Sequence, residues 1–171
     1  MISKRDVVII ANLRENARQN LTNMSRKTRV PVSTIFDRIR EHEQDTKVIS
    51  KYTCLVDFEQ LGFGMRVNLL IKVAKQQRSE LSAYLEKHSS VNSAYKINNS
   101  FDFLAECIFK SMKDLDKFIE SLECQFNVMG MEVLYIVEDI KREKFLSNPE
   151  LVPMMFDDGK AYKINPAQNA E

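Results

Sequence analysis

Apolar side chains recur at helical spacing through the first third of this chain and alternate along extended stretches farther on. Val7, Ile10 and Ala11, with Ile9 and Leu13, predict a helix over residues 4–15. Ser3-Lys4-Arg5-Asp6 opens it as a capping box with Asp in place of Glu. Asn16–Asn20 closes that helix and opens a short second one, 20–27, defined by Leu21, Met24 and Ser25. Thr28-Arg29-Val30-Pro31 reads as a turn, with Pro31 at the first position of a third helix, 31–43. One face of this third helix carries Ile35, Ile39 and His42. The other carries Ser33, Thr34, Asp37, Arg38 and Arg40. Three short helices joined by tight turns, with hydroxyl residues opening the third, form a helix-turn-helix pattern.

The period then changes. Gln44–Lys47 is a polar turn, and Val48–Val56 is rich in β-formers, predicting a strand that serves as a wing. Asp57–Gly64 is a hinge with two of the four glycines. Strands are expected at 65–73, 91–97, 101–109 and 131–140, and helices at 77–88 and 112–123. Leu81, Tyr84 and Leu85 form the buried face of one helix, and Leu115, Phe118, Ile119 and Leu122 that of the other. The order βαββαβ is the ferredoxin-like motif. The fold class is therefore α+β: a winged helix-turn-helix over 1–51, a linker over 52–64, a βαββαβ domain over 65–146 and a tail over 147–171. Leu151, Val152, Met154, Met155 and Phe156 in the tail are candidates to dock on a neighbouring subunit.

A two-layer unit whose helices cover one sheet face needs a cover for the other. Leu69, Ile71 and Val73, with Leu104 and Val133, are read as that second face. A homodimer built on 65–141 is the expected cover.

Charge sharpens this picture. The net charge is +1 overall, yet residues 1–51 hold 11 Lys and Arg against 6 Asp and Glu. The balance of +5 there and −4 in the remainder suggests that the first third meets a polyanion. Arg26, Lys27, Arg29, Arg38 and Arg40 supply much of the basic character. Double-stranded DNA is the expected partner, with Arg38 on a base and Lys27 and Arg29 on phosphates. RNA binding by the sheet is disfavoured, because the βαββαβ segment is acidic. The three cysteines and two histidines match no metal-ligand spacing, so no metal and no cofactor are expected. No nucleophile–base order, phosphate loop or close carboxylate pair points to an enzyme. The longest apolar run, Val67–Val73, is broken by Asn68 and Lys72, so no membrane span is expected and the location reads as cytoplasmic.

The helix-turn-helix, the run Val48-Ile49-Ser50-Lys51-Tyr52-Thr53, the segment Val56-Asp57-Phe58-Glu59-Gln60-Leu61-Gly62 and the βαββαβ domain follow in an order that resembles the Lrp/AsnC (feast/famine) transcription regulators, archaeal type. The resemblance covers about residues 3–146. It implies a DNA-binding regulator that dimerises through its sheets, assembles up to octamers and responds to an amino acid held between subunits. It places the recognition helix on Pro31–Arg40 and the effector loop on Asn98, Asn99, Ser100 and Asp102.

Several residues carry more than one reading. Asp37 accepts from a cytosine amino group, pairs with Arg38 or Arg40, or is solvated. His42 is a core histidine or a pH sensor. Asn98–Asp102 is a ligand loop or a structural turn, with Asn99 able to adopt positive φ. The rival function is a ligand-sensing oligomeric partner protein with a vestigial DNA-binding half.

Overall fold

The computed structural model describes residues 2–156. The chain divides into two compact units. One joins residues 2–54 with 140–156; the other is Leu55–Asp139.

The first unit holds helices α1 (Lys4–Glu15), α2 (Leu21–Thr28) and α3 (Val32–Gln44). The expected capping box forms: the Asp6 amide donates to Ser3 Oγ (3.3 Å), and the Ser3 amide donates to Asp6 Oδ2 (2.7 Å). Asn20 caps α2 by accepting from the Thr22 amide at 2.8 Å. α2 ends at Arg29, whose φ of 57° is left-handed and breaks the helix. Pro31 stands one position earlier than expected, as the residue before α3, and offers no side-chain cap. Ile9, Leu13, Met24, Val30 and Ile35 form the core, with Leu21, Ile39 and Ile49 packed on it.

Two expectations change here. Val48–Val56 forms no strand. Ile49 is used as an apolar peg against the helices, its amide donating to the His42 carbonyl at 3.0 Å. β-propensity needs a partner strand to be realised, and none pairs with this segment among the described residues. The tail segment also does not need a neighbouring subunit. A 3-10 turn, Pro149–Leu151, leads into a single helical turn, Val152–Met155, and Val152 is fully buried against Val7 and Ala11 of α1. Arg14 fastens the approach, with Nε donating to the Phe145 carbonyl (2.8 Å) and Nη2 bound to Glu143 Oε2 (3.0 Å). The tail beyond 156 lies outside the described residues.

The second unit contains β1 (Met65–Val73), α4 (Arg78–Lys87), β2 (Val91–Lys96), β3 (Phe103–Phe109), α5 (Met112–Gln125) and β4 (Val128–Tyr135). The antiparallel sheet has the order β2-β3-β1-β4. β4 begins three residues earlier than expected and ends at Tyr135, so 136–140 leave the sheet.

The parity of the sheet faces also differs from expectation. Val67, Leu69, Ile71 and Val73 are buried with Phe103, Ala105, Cys107 and Phe109 beneath Leu81, Leu85, Leu115, Phe118 and Leu122. Val133 packs against the same core. Leu69, Ile71, Val73 and Val133 therefore line the helix-covered face. Leu104 does lie on the open face, opposite Leu70 and Tyr95 in register. Alternation marks two faces but not which one the helices choose. The open face carries half-buried Leu70, Leu104 and Ile108 and exposed Tyr95 and Leu134, beside an Arg66–Glu106 ion pair at 3.3 Å.

Candidate nucleic-acid interface and effector turn

α3 is held against α1 by a buried polar node. Asp6 and His42 are each only 1% exposed. His42 Nε2 lies 3.6 Å from Asp6 Oδ1, and its Nδ1 lies 3.0 Å from Thr46 Oγ1. Burial pushes the Asp6 carboxyl upward. The Ser3 amide and hydroxyl, with Arg38 and His42, outweigh it and hold the pKa below its ordinary value. His42 is thus a core histidine, tying the third helix to the first.

Arg38 belongs to the same node. Its Nε is 3.5 Å from Asp6 Oδ1, and its Nη1 donates to Glu41 Oε2 at 2.8 Å. The side chain expected on a base is therefore engaged by Asp6 of α1 and by Glu41 one turn farther along α3. Asp37 has no ion-pair or hydrogen-bond partner among the described residues, so the expected pairing with Arg38 or Arg40 does not form. Arg40 engages Gln44 Oε1 through Nε at 3.2 Å and is exposed.

The outward face of α3 carries Ser33, Asp37 and Arg40, with Thr34 on one flank, all exposed. Because Pro31 supplies no side-chain acceptor, the first amides of this helix have no cap. Such a helix start favours anions. Arg26, Lys27 and Arg29, at the end of α2 and in the turn before α3, are exposed. Lys27 makes only a loose 3.9 Å pair with Glu15. Sequence reasoning missed two contributors. Asp6 was legible as a cap but not as the anchor of α3. Phe36 fell outside both expected faces and is exposed.

The turn between β2 and β3 holds the expected effector loop. Asn99 adopts the anticipated positive φ, 84°. Asp102 is locally satisfied: Oδ2 accepts from the Val73 amide (3.0 Å) and Oδ1 pairs with Arg78 Nη2 (2.7 Å). Its own amide donates to the Ile71 carbonyl, and its carbonyl accepts from Ile97, each at 2.9 Å. Asp102 thus closes the turn onto β1 and the start of α4. Asn98, Asn99 and Ser100 remain exposed.

The first unit is a helix-turn-helix with a basic surface, and the second is a ferredoxin-like βαββαβ unit with an acidic balance. Residues 66–146 match the family model of the Lrp/AsnC ligand binding domain. The HTH-type transcriptional regulator FL11 of Pyrococcus horikoshii is 27% identical over 136 residues, covering 80% of this chain and 89% of that protein. A transcriptional regulator from Neisseria meningitidis, solved as an L-Met complex, superimposes with a TM-score of 0.75 at 21% identity over 83% of this chain and 94% of that one. AsnC of E. coli superimposes with a TM-score of 0.73 at 20% identity, over 83% and 96%. Residues 66–146 thus match the Lrp/AsnC ligand binding domain, and over most of its length the chain is similar to transcription regulators of that family. The HTH-type transcriptional regulators that the chain matches align across both units, which favours a DNA-binding regulator over a vestigial DNA-binding half.

Proposed function

We propose that two copies of this chain, acting by binding and without catalysis, read duplex DNA with α3 in the major groove. The observation that carries this reading is the exposed polar face of α3, held against α1 by buried Asp6 and His42 together with partly exposed Arg38. On this reading Ser33, Thr34, Asp37 and Arg40 face base edges. Arg26, Lys27, Arg29 and the uncapped start of α3 meet phosphates, and Arg38 acts by positioning. Arg40 is the residue with the donor geometry for guanine. Arg40→Ala is expected to cost about 1–3 kcal/mol on the preferred site and to relax specificity there. Lys27→Ala is expected to weaken all sequences alike and to lower the salt slope by about one unit. Equal affinity of wild type and Arg40→Ala across all sequences would remove the base-reading role.

The dimer follows from the open sheet face, where Leu70, Leu104, Ile108, Tyr95 and Leu134 lack a cover within their own unit. A second copy covers it and brings two recognition helices onto one duplex. Larger even assemblies, up to an octamer, are built from such dimers. Sedimentation equilibrium tests this: a folded monomer at micromolar concentration contradicts it.

An amino acid is the proposed effector, at the turn where Asn98, Asn99 and Ser100 stay exposed. The L-Met complex of the Neisseria relative supports the ligand class. Asp102 fixes the turn rather than touching the ligand. Calorimetric titration with the twenty amino acids is the test; no heat at millimolar concentration leaves the turn purely structural.

A further inference from the structure

We propose that Val32 and Phe36 form an apolar edge of α3 that reads the C5-methyl groups of thymine in the major groove. The inference rests on α3 being the recognition helix and adds to it the chemistry of one set of base contacts.

Among the described residues of α1, α2 and α3, the large hydrophobics left exposed are Val32, at 40%, and Phe36, at 55%. Both lie on α3, one turn apart. They flank the outward face that holds Ser33, Asp37 and Arg40, on the side opposite Thr34. Every other large apolar side chain of these helices is at least partly packed, so the unit had interior to offer. An amphipathic surface helix normally places polar residues at such positions. The exposed pair is accounted for when a partner supplies apolar surface next to polar surface.

Duplex DNA does this in one way. Base edges in the major groove present donors, acceptors and a single apolar group, the thymine methyl. Cytosine carries hydrogen at that carbon, so a side chain packed there separates T·A from C·G without a hydrogen bond. Phe36 precedes Arg40 by one turn, which places an aromatic ring and a guanine-directed guanidinium on neighbouring stretches of one groove. The charge is complementary as well, since Arg26, Lys27 and Arg29 lie just before α3. Removing one methyl from water is worth about a fourfold change in affinity.

The experiment uses the full chain. A preferred duplex is selected from a random library, and each thymine is replaced in turn by deoxyuridine. This deletes one methyl and keeps every hydrogen-bonding group. Fluorescence anisotropy is expected to show about a fourfold loss for wild type at one or two positions. Phe36→Ala should bind the thymine and deoxyuridine duplexes equally there, and Phe36→Leu should retain part of the discrimination. Arg40→Ala is run alongside to test α3 itself. If wild type tolerates deoxyuridine at every position while Arg40→Ala still relaxes specificity, the methyl contact is overturned and the recognition helix stands. If neither substitution changes specificity, both fall. If Phe36→Ala shifts the oligomeric state in sedimentation and wild type ignores the methyls, Phe36 packs a second copy and the inference is overturned.

Discussion

The two units fill their interiors with different chemistry. The buried polar side chains among the described residues, Asp6, Asn12 and His42, all lie in the helix-turn-helix unit. Every buried residue of the sheet unit is apolar. A sheet locks its strands through a ladder of backbone hydrogen bonds, so its core need only supply volume. Three short helices share no such ladder. Directional contacts add to their apolar core: Asp6 toward Arg38 and His42 between α1 and α3, and the Asn12 backbone carbonyl accepting from Gln19 Nε2 of the following turn at 2.6 Å. α3 is therefore tied to α1 by polar contacts as well as by packing, whereas the sheet unit is cohesive by packing.

Substitutions can break this contrast. The largest loss is expected for Phe118→Ala in the sheet unit, about 4 kcal/mol, because Phe118 packs against Phe109, Tyr84 and His88. Urea unfolding measures it, and a loss below about 1 kcal/mol would contradict a volume-dependent core. Asp6→Ala is expected to cost about 3 kcal/mol in the other unit, since it strands His42 and frees Arg38. DNA affinity should fall with it, although Asp6 is buried away from the outward face. Unchanged DNA specificity in a folded Asp6→Ala variant would show that the node does not aim α3.

Val152→Ala should cost about 2 kcal/mol, by opening a gap over Val7 and Ala11. Hydrogen exchange should place the effect on α1 rather than on the sheet. Arg29→Gly is expected to stabilise by about 1 kcal/mol, because it relieves a left-handed φ. It should nonetheless weaken DNA binding and reduce the salt slope if Arg29 meets a phosphate. A stabilised variant with unaltered DNA binding would place Arg29 off the duplex.

Acidification gives the smallest effects and separates the units by pH. Burial holds the His88 imidazole below its ordinary 6.5, so the unfolded chain takes up that proton first. The sheet unit should begin to lose stability as pH falls below 6.5. The Asp6 carboxyl lies below its ordinary 3.8, so its contribution is present above 3.8 and is lost as pH falls through the lower folded value. Amide exchange followed from pH 8 to pH 3 should show the sheet unit softening first. Simultaneous loss, or the reverse order, would contradict the assignment.

Local signals carried much of the architecture. Ser3 and Asp6 mark the start of α1, Pro31 marks the start of α3 within one residue, and Asn99 has the side chain that tolerates a left-handed turn. The 3.6 and 2.0 periods identify three helices followed by βαββαβ. These features depend on neighbours a few positions apart, and the sequence states them directly. Tertiary structure decided the rest. It chose which parity of β1 meets the helices, and so moved Leu69, Ile71 and Val73 from the expected open face to the covered one. It left Val48–Val56 without a partner strand and brought Val152 back onto α1. It paired Arg38 with Asp6, a residue 32 positions earlier whose burial no local pattern announces. Periodicity and capping are encoded at short range. The choice of partner is settled only when distant segments compete for the same buried surface and the same charges.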